Sequence, residues 1–143
     1  MSTTKPKNIK CPVLTLYNVK SELKKAGVRI YLRNGTSLAS LDPGVFNAKT
    51  QYAKLDQNCK SEDIAVSLKN ISQSSAGLLS LARVLIEDPS IFDNISLYIQ
   101  NKEANPKGDF TYAFARRWNG GRILRVDRDG GRIAGNIFLV NPI

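Results

Sequence analysis

The sequence contains no histidine. Histidine is the side chain whose ordinary pKa lies nearest to neutral pH, and it is the commonest metal ligand in proteins. Its absence excludes serine–histidine–aspartate and cysteine–histidine catalytic machinery. We therefore expect a protein that is not an enzyme and that uses no metal and no cofactor. The enzymatic alternative is a phosphodiesterase or nuclease that works without histidine and uses arginine, glutamate and tyrosine, with arginine stabilising the transition state. Separately, Asp127 and Asp129 share one side of a predicted strand and are the carboxylates that could hold a divalent ion.

Cysteine is scarce, and long hydrophobic runs are missing. The two cysteines, Cys11 and Cys59, have neither metal-binding spacing nor a redox motif, so we expect buried or half-buried thiols; whether they form a disulfide stays open. No apolar run reaches the roughly 18 residues of a membrane span, and the N-terminus does not resemble a signal sequence. The prediction is a protein without a membrane span, located in the cytoplasm, including that of a virus-infected cell, or in a virion.

Positive charge is in excess and is concentrated at the two ends of the chain. The 143 residues carry a net charge of +9. Residues 1–33 contain eight lysines or arginines and one acid, residues 34–109 contain seven against nine acids, and residues 110–143 contain six arginines against two acids. The last segment has no lysine, and arginine is the residue that grips phosphate through two parallel hydrogen bonds and stacks on aromatic rings. This distribution favours an anionic partner.

The pattern of strands and helices predicts an α+β fold. Residues 1–10 are expected to form a flexible basic arm, and residues 11–143 a single globular domain. Alternation over residues 28–33, followed by Asn34-Gly35 and a returning segment to residue 41, predicts an N-terminal hairpin. The runs 110–118, 122–128 and 132–140, separated by Gly-Gly turns, predict an antiparallel three-stranded meander. Two or three helices in the middle of the chain are expected to pack with these strands.

The helix predicted over residues 76–87 is almost wholly apolar. Such a helix is buried on several sides, either in a core or at an oligomer interface. We predict that Leu78, Leu81 and Leu85 form an interface between copies of the chain.

Aromatic side chains alternate with arginine in two of the predicted strands. In the first meander strand Phe110, Tyr112 and Phe114 share a face with Arg116 and Trp118 by the period-two rule, so the strand is expected to pass from the core into a basic rim. Whether the arginines of both strand groups converge on one surface is left open by the sequence. The predicted nucleic-acid-binding residues are Lys5, Lys7, Lys10, Arg29, Tyr31, Arg33, Arg116, Arg117, Trp118, Arg122, Arg125, Arg128 and Arg132.

The hypothesis that fits these features first is a nucleic-acid-binding protein that self-associates. RNA or single strands are favoured over duplex DNA, because no basic helix is long enough to read a major groove. A small viral coat or nucleocapsid protein, or a viral silencing suppressor, has this kind of composition; that is an analogy and not a family match. The alternative is an assembly module that binds an acidic protein surface.

Overall fold

The computed structural model describes residues 11–33, 35–45, 47–55, 60–100, 110–129 and 136–143, without the side chains of Ser61 and Asp129. The described chain contains three α-helices, seven strands and two short 3-10 helices. The helices are α1 (Val19–Lys25), α2 (Ser61–Lys69) and α3 (Leu78–Glu87). The strands are β1 (Val28–Leu32), β2 (Gln51–Lys54), β3 (Gln73–Ser75), β4 (Leu97–Gln100), β5 (Phe110–Trp118), β6 (Gly121–Asp129) and β7 (Ile137–Pro142).

The seven strands form one mixed sheet in the order β1-β6-β5-β4-β7-β2, with β3 also pairing with β7. Neighbours β4, β5 and β6 are antiparallel, whereas β1 runs parallel to β6 and β4 runs parallel to β7. The predicted α+β class with antiparallel C-terminal strands is confirmed. The strand β1 lies at one edge of this sheet.

One face of the sheet, the near face, is covered by α1 and α3. Apolar side chains of both helices pack there on Leu124 and Val126 of β6 and on the alanines of β5, and together they form the larger hydrophobic core. The three leucines of α3 named above, Leu78, Leu81 and Leu85, have no exposed surface at all. The apolar character of this helix is therefore explained by the core of a single chain, and the prediction of an oligomer interface there loses its basis.

The opposite face, the far face, is covered only in part. Ile64 and Leu68 of α2 pack on the half of the sheet formed by β4, β7 and β2, where Phe138 is fully buried. No helix among the described residues covers the other half, which β1, β6 and β5 form. At the end of the sheet where the basic strands lie, the far face is therefore without a helix in the part of the chain that the structure describes.

Two details of the predicted topology are wrong. The segment after β1 does not return as a strand: Ser37 and Ser40 close a 3-10 turn, and β1 pairs with β6 instead of forming a hairpin. The last strand, β7, leaves the predicted meander and pairs with β2, β3 and β4, so the three-stranded meander consists of β4, β5 and β6. Both errors concern pairing partners distant in sequence, which local alternation does not encode.

Within the described part of the chain, no helix is long and apolar enough to cross a membrane. The longest, α3, has 10 residues.

Candidate functional site

The uncovered half of the far face carries arginine and aromatic side chains from three adjacent strands. Side chains alternate between the two faces along each strand, and residues in register share a face. We call this surface the arginine–aromatic face; its residues are Arg29, Tyr31 and Arg33 near β1, Phe114, Arg116 and Trp118 on β5, and Arg125 on β6.

Strand register brings these residues from distant parts of the chain into contact range. Tyr31 is in register with Arg125, and Arg125 is in register with Phe114. Neighbouring strands lie about 4.8 Å apart. The basic–aromatic sets of the N-terminal strand and of the meander therefore form one continuous surface, even though the hairpin that was expected to deliver the first set does not exist.

Arg116 is held between two aromatic rings. Its guanidinium carbon lies 4.8 Å from the ring centre of Trp118 and 5.6 Å from that of Phe114. Its Nε is buried and has no hydrogen-bond partner in the described chain. Such cation–π contacts stabilise each pair by about 0.5–1 kcal/mol at exposed sites. They fix the direction of the guanidinium without neutralising its charge.

A row of rings continues from this cation towards the covered half of the sheet. Phe114 lies 5.2 Å from Tyr98, and Tyr98 lies 5.8 Å from Phe138 under α2. Burial decreases along the row, from the fully buried Phe138 to Trp118, which is 41% exposed. The prediction that β5 runs from the core to a basic rim is confirmed.

Among the side chains that the structure describes on this surface, one is a carboxylate. Asp127 is buried and accepts a hydrogen bond from Arg33 at 2.9 Å, and its second oxygen lies 3.6 Å from Arg125. No described carboxylate lies within 4 Å of the guanidinium groups of Arg29 and Arg116. The described side chains of the face are thus four arginines and one aspartate, an excess of positive charge.

Arg117, Arg122 and Arg128 point to the near face, away from the others. Arg117 and Arg122 are in register with each other, and Arg117 lies 3.7 Å from Asp93. Arg128 is exposed at the far end of β6. Strand alternation thus places these three predicted binding residues on the opposite side of the sheet from Arg116 and Arg125, and the arginines of the meander do not all share one surface.

Arg122 has a structural role that its sequence context did not suggest. Its guanidinium donates hydrogen bonds to the backbone carbonyls of Leu85, at 2.5 Å, and of Ala26, at 2.7 Å. These carbonyls lie at the C-terminal ends of α3 and α1, where the last carbonyls lack partners within the helix. Partial burial lowers the pKa of Arg122, and Asp93 opposes that shift. Arg122 thus ties the ends of two helices to β6.

Four predicted site residues, Lys5, Lys7, Lys10 and Arg132, lie outside the described residues.

Sequence reasoning missed two contributors that the structure reveals. Phe114 was assigned to the core alone, but it supports Arg116; Asp127 was considered only as a metal ligand, but it orders two arginines. The role of Asp127 could have been predicted from its spacing, because Arg125 and Asp127 lie two residues apart on the same side of β6.

Among the described residues, no group of three or more histidines, cysteines, aspartates or glutamates is placed to hold a metal ion. Compared with known protein families, curated proteins and solved structures, the chain matches none. What the protein does therefore has to follow from the chemistry of its own surface.

Proposed function

We propose that the protein binds single-stranded nucleic acid, with RNA as the favoured form, on its arginine–aromatic face. The observation that carries the proposal is the joining of two sets of arginine and aromatic residues, from opposite ends of the chain, on one uncovered sheet surface. Arginine holds phosphate through paired hydrogen bonds, and an exposed ring stacks on a base of any sequence.

Exposure of the rings supports a single strand over a duplex. Trp118 and Tyr31 are 41% and 45% exposed, so each has a ring face available for stacking. The bases of a duplex are stacked on each other, whereas unpaired bases can be splayed out onto a sheet. Stacking contributes about 1–3 kcal/mol per base and depends weakly on sequence. Binding led by stacking and phosphate contacts is therefore expected to show little sequence preference.

The fixed orientation of Arg116 supports phosphate binding at the same place. The rings of Phe114 and Trp118 hold its guanidinium, so ordering it on binding costs less side-chain entropy than ordering a free arginine. Arg125 lies on the neighbouring strand β6, and Arg29 lies one strand further, on β1, where it is in register with Ile123 and through it with Arg116. A backbone that crosses the three strands would meet a phosphate-binding group on each.

The single tryptophan makes the proposal directly measurable. Trp118 is the only tryptophan of the chain, so its fluorescence reports on the face itself. Titration with a 12-nucleotide single-stranded RNA is expected to quench this emission. The apparent affinity should fall with salt, with a log–log slope of about −2 to −3 for three to four phosphate contacts on a single strand.

The matched control is the same RNA annealed to its complement. A duplex should bind more weakly and quench less, because its bases are not free to stack. Unchanged emission together with affinity indifferent to salt would remove the proposal. Quenching by an acidic polypeptide but not by RNA would instead favour the alternative of an assembly module that binds an acidic protein surface.

A further inference from the structure

We propose that the outer edge of β1 accepts an acidic, extended peptide of a partner protein as an additional strand of the sheet. The groove at this edge borders the arginine–aromatic face and shares Arg29 and Tyr31 with it, but the inference is argued from the outer backbone of β1 and the lysines of α1 and does not rest on the proposed function. No described strand pairs with this side of β1.

The backbone of β1 has one set of polar groups directed outwards. The N–H of Arg33 donates to the carbonyl of Val126 on β6, at 3.1 Å. In a parallel pair, alternate residues bond to the same neighbour. The odd-numbered residues therefore bond to β6, and the N–H and C=O groups of Val28, Ile30 and Leu32 face the open edge. Val28 is almost fully buried, so Ile30 and Leu32 are the residues of β1 that offer a donor and an acceptor each to an incoming chain.

A groove of about 500 Å³ runs along this edge between α1 and β1. Its walls are Lys20 and Lys24 of α1 together with the residues of β1, including Arg29 and the half-exposed Leu32. The described residues that line it include three cations and no acid. An extended segment laid on the edge would place its alternate side chains beside the lysines.

Charge decides which occupant fits. If two copies of the chain paired through this edge, Lys20, Lys24 and Arg29 of both would be brought together, and edge lysines are a known means of preventing such self-pairing. An acidic segment turns the same cations into attractive partners. The groove therefore fits a partner strand with glutamate or aspartate at alternate positions.

The test uses a labelled nine-residue peptide of alternating glutamate and threonine, followed by fluorescence anisotropy and by amide hydrogen exchange. We expect binding with new protection at the amides of Ile30 and Leu32, and no binding of a lysine–threonine peptide. The double variant Lys20→Glu/Lys24→Glu should reverse this preference, weakening the acidic peptide about tenfold. Circular dichroism of the variant checks that it is folded.

A glutamate–proline peptide of equal charge supplies the control on the ligand side, since proline has no N–H for the strand ladder. Equal binding of that peptide, or binding of the glutamate–threonine peptide without protection of the amides of Ile30 and Leu32, would overturn the proposal. Protection of those amides by single-stranded RNA in place of the peptide would overturn it too. The outcome leaves the RNA titration of Trp118 unaffected, because neither lysine belongs to the arginine–aromatic face.

Discussion

Four arginines of one hairpin, β5–β6, have two different environments. Arg116 and Arg125 lie on the far face, where rings and a single carboxylate surround them and no described helix covers them. Arg117 and Arg122 lie on the near face, where Arg122 binds the ends of two helices. Neighbouring arginines such as Arg116 and Arg117 thus have different surroundings, because they lie on opposite faces of the sheet and only one of those faces is covered there by helices of the described chain. An arginine is evidence for anion binding only when its guanidinium is not already engaged in contacts that hold the fold together.

The two halves of the far face make the same comparison for aromatic residues. Under α2, Phe138 and Tyr98 pack as core. Beyond α2, the same row of rings ends in the exposed Trp118. A ring stabilises the fold where a helix covers it and is available to a ligand where none does.

The largest expected effect is on the free energy of unfolding, which should depend on Arg122 of the near face much more than on the arginines of the far face. Arg122→Ala removes two hydrogen bonds from a charged group, each contributing about 1.5–3 kcal/mol. We expect a loss of about 3 kcal/mol in the free energy of unfolding, measured by urea denaturation. Arg125→Ala, the matched far-face variant, should change stability by less than about 1 kcal/mol. Equal losses in both variants would contradict the division of roles.

The next effect concerns the one carboxylate of the arginine–aromatic face. Asp127→Asn removes the negative charge that pairs with Arg33 and keeps a similar shape. We expect single-stranded RNA to bind roughly two- to fivefold more tightly at about 0.1 M salt, because a nearby like charge no longer repels phosphate. Anisotropy of labelled RNA measures it.

Asp93→Asn is the matched control for that variant, since Asp93 pairs with Arg117 on the near face. It should leave RNA affinity unchanged. Weaker RNA binding by Asp127→Asn would mean that the carboxylate contributes to the site by orienting Arg33 and Arg125 more than it opposes phosphate. Cleavage of the RNA by the parent chain, lost in Asp127→Asn, would favour the histidine-free nuclease.

The smallest effect tests the covered half of the far face. Burial raises the pKa of Tyr98 above its ordinary value of 10.0, and Arg116 opposes the shift. The folded state therefore favours the neutral phenol. The stabilisation that the buried neutral Tyr98 gives is complete below pH 10. It is lost as the pH rises above 10, because the tyrosine ionises more readily in the unfolded chain than in the folded one. Tyr98→Phe should therefore lose less stability than the parent between pH 9 and pH 11.

Urea unfolding of both proteins at the two pH values measures this difference. A pH dependence that is identical in the parent and in Tyr98→Phe would show that the ring ionises as freely in the fold as in the unfolded chain. That result would contradict its burial beneath α2.

Local pattern predicted most elements, and distant pairing decided the site. Alternation correctly indicated β1, β5 and β6, and the apolar run indicated α3. The neighbour of β1 could not be predicted, because Asn34-Gly35 favours a hairpin locally while the parallel ladder with β6 joins segments about ninety residues apart. The faces of Arg116 and Arg117 followed from the period of two. The role of Arg122 did not, since it depends on where two helices end.

The most direct test of the arginine–aromatic face compares two double variants that remove equal charge from opposite faces. Arg116→Ala/Arg125→Ala should weaken binding of labelled single-stranded RNA and reduce the magnitude of the salt slope by about 1.4, two contacts at about 0.7 each. Arg117→Ala/Arg128→Ala should leave the slope nearly unchanged. Equal changes in both variants would contradict binding at the uncovered face and would leave only a general attraction between a basic protein and a polyanion.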